Sequence, residues 1–365
     1  MRADVLIHPI GELATPVAEG GPLHGQAMSR VERVAQAAVA IAQDKIVAAG
    51  GAGEVLSSVE TDSSTIVVSA AGKLVTPGLV DPHTHLIFAG NRANEFVMRC
   101  QGKTYQEIAR AGGGITASVT ATRQADLAAL VESGLSRLGR MLAAGTTTCE
   151  VKTGYGLDLA SELRMLETIG VLAEQQPVEL VPTFMPAHAV PPGIERQRYV
   201  DEVVSDMLPA AVELSLSGAL GRLPLPFNDV FCDEGYFTVE DTRRILEAGL
   251  RLGMKAKVHA DEFANLGATR LAVELGAVSA DHLLSVSHRE IDLLAGSNTV
   301  AVLLPGTSFY LNLSEHAPAR RMIDKGVAVA LGSDFNPGSC HIFSLPLIWG
   351  LACLHLKMTP EEALT

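Results

Sequence analysis

Apolar positions follow two regimes along the chain. Through residues 1–76 they form short β-prone pieces, VLIHPI, AVAIAQDKIVAAG and STIVVSAAGKLVTP, broken by Gly and Asp. That predicts a small β-rich domain over 1–76, with a polar connection near residues 12–32. From residue 77 short apolar runs alternate with longer amphipathic stretches. The runs predict strands at Leu79–Ile87, Thr146–Lys152, Val178–His188, Asn228–Glu234, Lys255–Asp261, Val278–His282, Thr299–Pro305 and Val327–Asp334. The stretches between them predict helices at Ala125–Ala144, Leu159–Gln175, Val239–Leu252, Leu266–Leu275 and Ser287–Ala295. Apolar runs without clean alternation suit strands covered on both faces, as in a parallel sheet. Eight of them interleaved with helices predict a (β/α)8 barrel, of the TIM-like α/β class, over 77–365.

A barrel of this kind places its active site at the C-terminal ends of its strands. Those ends carry His83 and His85, Lys152, His188, Asp233 and Glu234, His259, His282 and Asp334. Residues two apart on a strand share a face, so His83-Thr84-His85 presents two imidazoles to one side. Paired imidazoles are half of a transition-metal site. A lone HxH is equally well a pair of solvated strand-end rings. Four strands ending in histidine and one in aspartate make a packing-only barrel a poor explanation.

Composition narrows the classes. The 365-residue chain is 47% hydrophobic and 19% charged, with a formal net charge of −13. An acidic surface disfavours nucleic acid and anionic membranes as partners. No run of uncharged apolar residues is long enough for a membrane helix, and MRADVLIHPIGEL lacks a signal-peptide core. Five scattered cysteines without CxxC spacing point to a reduced, cytoplasmic protein and away from a Cys-ligated zinc site.

The motifs PGLVDPHTHLIFAGNR (77–92), AGGGI (111–115), KTGYGLD (152–158), PAHAVPP (186–192), HADEFANLGA (259–268), SADHL (279–283), AVLLPG (301–306) and SDFNPGS (333–339) go further. With them the chain resembles the amidohydrolase superfamily and, within it, the imidazolonepropionase family. HxH and the late Asp mark only the superfamily; GNR, KTGYGLD, HADE and DFNPG together are more specific. The resemblance implies a metal-dependent hydrolase barrel beside a small β-sandwich domain, one divalent zinc or iron ion, a cytoplasmic homodimer and a small-molecule substrate. It also implies hydrolysis of the cyclic amide of 4-imidazolone-5-propanoate to N-formimino-L-glutamate. The chain closes on KMTPEEALT, early in an expected helix, where the family is expected to continue into strands completing the small domain.

Carried over by motif, the metal ligands are His83, His85, His259 and Asp334. Lys152 stands where the single-metal group of the superfamily has it, and is expected to support the pocket rather than bridge two metals. Glu262, His282 and Asp334 are the candidate catalytic residues, and spacing leaves open which of them is the base. Substrate contacts are expected from Arg92 as carboxylate anchor, Tyr155, His188, Glu262, Asn336, Gly338 and Ser339. The bland readings are a loop aromatic for Tyr155 and a turn residue before Pro337 for Asn336. AGGGI is expected to shape a loop over the site, since no P-loop lysine accompanies it. Two other readings share the ligands: another amidohydrolase, such as a deaminase, or a non-catalytic metal-binding protein.

Overall fold

A computed structural model describes residues 2–17, 20–103, 107 and 113–365. The N-terminal part builds one sheet from β1 (Val5–Pro16), β2 (Val31–Ala42), β3 (Lys45–Gly51), β4 (Ile66–Val68) and β5 (Leu74–Val75). Its order is β3-β2-β1-β4, with β5 also pairing with β1. The polar connection is shorter than expected: Glu12–Pro16 pairs in register with Val31–Ala35. Burial of Leu13 and Ala14 holds that stretch in the sheet. On β4 the apolar side chains of Ile66, Val67 and Val68 face solvent.

From residue 79 eight parallel strands follow in chain order: β6 (Leu79–Asp81), β7 (Thr146–Lys152), β8 (Glu179–Ala187), β9 (Phe227–Cys232), β10 (Lys255–Ala260), β11 (Ser279–His282), β12 (Val300–Leu303) and β13 (Val329–Leu331). The ring closes where Thr84, just past β6, bridges in parallel to Phe335, just past β13. Two backbone bonds, His85 N–H to the Phe335 carbonyl at 2.9 Å and Asp334 N–H to the His83 carbonyl at 3.0 Å, hold the seam. Helices lie between the strands, and several start where the sequence sets a cap. Asp158 caps Leu159–Gln175, while Thr238 and Ser287 make capping boxes with Asp241 and Glu290.

The expected unbroken apolar runs conceal an alternation. On β7, Cys149 and Val151 join the core between strands and helices, whereas Glu150 and Lys152 are buried outside that apolar cluster. Asp229 on β9, Lys257 and His259 on β10 and Asp281 on β11 follow the same rule. Six of the eight strands are also shorter than expected at their C-terminal ends, β7 and β11 ending at Lys152 and His282 as expected. His83, His85, His188, Asp233, Glu234 and Asp334 sit on the loops immediately beyond them. The backbone turns out of the ladder there through left-handed conformations, with φ of 52° at Asp261, 79° at His282 and 50° at Asp334. Asp and His tolerate this region better than β-branched residues, and such strain gathers at functional sites. Among the described residues, no helix is long and apolar enough to cross a membrane.

Candidate active site

His83, His85 and His259 converge at the top of the barrel. Each offers a ring nitrogen, and the three atoms lie within 4.8 Å of one another. Nε2 of His85 and Nε2 of His259 are only 3.2 Å apart. Nε2 of His83 is buried with no hydrogen-bond partner in the protein. Burial drives the His83 and His85 rings well below the usual imidazole range, so both are neutral at pH 7, the state that ligates a metal. Converging neutral donors with an orphaned nitrogen suit a divalent first-row ion. Asp334 Oδ1 stands 3.6 Å from His83 Nε2 and 3.8 Å from His85 Nε2, where a fourth donor would be. Its other oxygen accepts from the Thr307 hydroxyl at 2.5 Å. Burial raises the Asp334 carboxyl to about 6.

Beneath the imidazoles lies a layer of buried charge. Asp281 Oδ2 holds His83 Nδ1 at 2.6 Å, and Asp229 Oδ2 lies 3.0 Å from His259 Nδ1. A carboxylate behind a histidine fixes its tautomer and makes its outer nitrogen more basic. Lys152, fully buried, sits 2.7 Å from Glu150 and 2.8 Å from Asp229. Lys257 lies 3.6 Å from Asp281. Burial alone would lower the Lys152 pKa, but Asp229 and Glu150 hold it above the usual lysine range. Lys152 therefore supports the site from below, as expected of it. Against the upward pull of its own burial, Asp229 is kept ionised by His259 and Lys152.

Above the triad a cavity of about 860 Å³ opens, lined in part by Glu262, His282, Asp334 and Tyr155. Glu262 Oε2 lies 3.6 Å from His282 Nδ1. Burial, then the carboxylates of Asp334 and Asp233, pushes the Glu262 pKa well up. Burial, then His259, pushes His282 well down. Asp233 accepts from the backbone N–H groups of Glu262, Phe263 and Ala264 and so fixes the loop carrying Glu262. The left-handed turn at His282 brings its ring to 5.2 Å from His259 and 5.4 Å from His83. Simple alternation with Asp281 would send it the other way.

The expected substrate residues all line this cavity. His188 stacks on His85 at 4.6 Å, and Tyr155 lies 5.2 Å from His188. Gly154 lets the KTGYGLD loop pass: at φ 107°, a Cβ there would stand 2.9 Å from His188 Nδ1. Arg92 is not a free anchor. Its Nε and Nη2 bind Glu95 at 2.8 and 2.7 Å, and a Cβ on Gly338 would come within 1.8 Å of Nη1. Asn336 is occupied within its own loop, its Oδ1 accepting from Gly338 and Ser339 N–H and its Nδ2 donating to the Ser339 hydroxyl. That geometry matches the turn reading of Asn336. Of AGGGI, Ala111 and Gly112 lie outside the described residues, and Gly114 N–H donates to Glu95 at 2.8 Å.

Reading strand ends alone misses Asp229, Asp281, Glu150, Lys257, Glu95 and Thr307. The period of two already used for HxH would have found EVK on β7 and KVH on β10.

No family model matches the chain. The imidazolonepropionase of Symbiobacterium thermophilum is 51% identical over 363 residues, spanning 99% of this chain and 83% of that protein. The imidazolonepropionase of Alkaliphilus oremlandii is 45% identical over 367 residues, spanning 100% and 85%. Among solved structures, a zinc-bound adenosine deaminase from Xanthomonas campestris aligns with a TM-score of 0.63 at 17% identity, over 98% of this chain and 74% of that one. A triazine hydrolase variant aligns at 0.67 and 16% identity, over 96% and 76%. At such identities the structures share the fold alone.

Proposed function

The chain belongs to the imidazolonepropionase family, and from that premise we propose that it hydrolyses 4-imidazolone-5-propanoate to N-formimino-L-glutamate, a step of histidine degradation. The observation that carries the reading is three imidazoles converging below a cavity that holds both Glu262, its carboxyl pushed up by burial, and Asp334. The deaminase alternative has only the shared fold behind it.

His83, His85 and His259, with Asp334 as fourth donor, would hold one zinc or iron ion. When bound, such an ion polarises a carbonyl and lowers the pKa of water to about 7. Asp334 Oδ1 takes the proton of the attacking water. The water oxygen bonds to the ring carbonyl carbon, and the C–N bond of the cyclic amide breaks. Glu262, whose carboxyl burial and the neighbouring carboxylates push up, hands a proton to the departing nitrogen. His282, neutral and 3.6 Å from Glu262, donates a hydrogen bond to the carbonyl oxygen. Tyr155 and His188 form one wall. Arg92 meets the propanoate from the far side, and Gly338 and Ser339 close over it, on a loop shaped by Asn336.

Residues 1–76 form a domain of their own beside the barrel of 77–365, and the assembly is a cytoplasmic homodimer. The test is turnover of imidazolonepropanoate by metal-loaded protein beside adenosine and guanine. Turnover of the imidazolone alone is expected, and a purine turned over faster would overturn the assignment.

A further inference from the structure

Between β7 and the helix Leu159–Gln175, residues 154–157 run outside any regular element. Their backbone groups therefore need partners from elsewhere. Glu162, fully buried in the first turn of that helix, supplies the acceptors. Its Oε2 accepts from Gly154 N–H at 3.0 Å, and its Oε1 from Gly156 N–H at 2.7 Å and Leu157 N–H at 2.8 Å. The Thr153 hydroxyl donates to the same carboxylate. Arg123 supplies the donors. Its Nε binds the Gly156 carbonyl at 2.6 Å and its Nη2 the Leu157 carbonyl at 2.9 Å. An anion on the N–H side and a cation on the carbonyl side thus grip one short turn.

The grip is tighter than a plain connection needs. Leu157 is held at φ 51°, a left-handed conformation that a non-glycine residue keeps only where its surroundings impose it. A Cβ on Gly156 would stand 2.6 Å from the Glu162 nitrogen. What the turn carries is one wall of the cavity. Tyr155 lies between two held glycines, its ring 5.8 Å from His85 and 5.2 Å from His188. The Gly154 carbonyl accepts from His188 Nδ1 at 3.1 Å and fixes that ring in turn. Tyr155 and His188 line the cavity, and Glu162 does not.

We propose that Glu162 is a positioning residue of the hydrolysis. By holding the N–H groups of Gly154, Gly156 and Leu157, it sets Tyr155 and, through the Gly154 carbonyl, His188 against the substrate. The proposal rests on the imidazolonepropionase reading for the identity of that substrate.

Glu162→Gln keeps the side chain's volume but turns an amide donor toward at least one of the three N–H groups. Hydrogen exchange of a peptide spanning 153–157 should quicken about tenfold or more, with the exchange of β10 and β11 unchanged. Metal content should hold. KM for imidazolonepropanoate should rise about tenfold, the weight of a lost hydrogen bond, with kcat within about threefold, as expected for loss of uniform binding. Affinity for imidazole-4-propanoate, read by calorimetry, should fall with it. Glu162→Asp, which keeps the charge, should fall between the two proteins. Combined with Tyr155→Phe or His188→Asn, Glu162→Gln should cost less than the product of the single losses by about threefold or more, because both changes act through one turn. Unchanged exchange at 153–157, a lowered melting temperature with unchanged KM, or losses that multiply in full with both partners overturn the role of Glu162. Failure of wild type to consume imidazolonepropanoate counts against the reaction instead, and exchange and calorimetry still decide Glu162.

Discussion

Asp281→Asn tests the buried charge layer most sharply. Asp281 is not among the residues lining the cavity above the imidazoles, yet its Oδ2 lies 2.6 Å from His83 Nδ1, 3.6 Å from Lys257 Nζ and 3.9 Å from Lys152 Nζ. The amide keeps an oxygen where His83 needs an acceptor, so the ring stays in place and only the charge is lost. A charge-assisted bond contributes roughly 1.5–3 kcal/mol and a neutral one about 0.5–1.5, leaving a loss of about 1–1.5 kcal/mol. That is near one decade in an equilibrium constant, at the lower end of the roughly 10–100-fold typical of outer-sphere partners. Lys257 would keep the Pro82 carbonyl at 3.1 Å and the Phe227 ring at 5.8 Å. Lys152 would keep Glu150 and Asp229. The fold should therefore survive. The assay is competition for metal with a graded chelator, with thermal melting as a check on folding. A folded variant that holds metal as tightly as wild type would refute the claim that Asp281 tunes His83 as a ligand.

Glu262→Gln keeps the side chain's shape and removes its proton, so metal content should hold while kcat falls about 10²-fold or more, the range of general acid–base catalysis; near-normal turnover would remove Glu262 from the proton path. Arg92→Met should lower kcat/KM for the propanoate substrate by about tenfold or more and also destabilise the protein, because Glu95 is left buried without its cation, with the Gly114 N–H bond remaining. Adding Glu95→Gln should recover the melting temperature but not the activity, and recovery of both would reduce Arg92 to a structural part. Glu362 answers a question of pH. Burial pulls its pKa up, but the two-pronged Arg320 contact at 2.9 and 3.0 Å holds it below the usual carboxylate range. A lowered carboxylate pKa stabilises the fold above the unfolded value near 4.5, and this is lost as pH falls through the folded value. Glu362→Gln should accordingly cost about 1 kcal/mol at pH 7, discounted for the exposure of Arg320, with the difference closing below pH ~4; a deficit that persists in acid would assign the loss to packing.

The barrel was legible because each strand is an apolar run bounded by turn residues, and several helices open on a capping side chain such as Asp158 or Thr238. HxH was legible because its spacing is local. Asp281 was not, since its meaning depends on the register that sets it opposite His259 across β10 and β11. No local pattern reports which strands become neighbours. Thr307 lies 27 residues from the Asp334 it binds and had no local signal. Glu95, three positions from Arg92 on one helix face, did have one. Reading it would have shown that the expected anchor is already paired. The early end of β10 comes with the left-handed turn at Asp261, and Asp334 beyond β13 is left-handed too, which composition cannot reveal.

The central claim is that three histidines and Asp334 hold one ion that makes this cavity a cyclic amidase. Its most direct test follows formation of N-formimino-L-glutamate from 4-imidazolone-5-propanoate while metal-free protein is titrated with zinc or ferrous iron. The account predicts no product without metal and activity that rises linearly to saturate at one ion per chain. Full activity in the metal-free protein, saturation at two ions, or no product at any loading would contradict it.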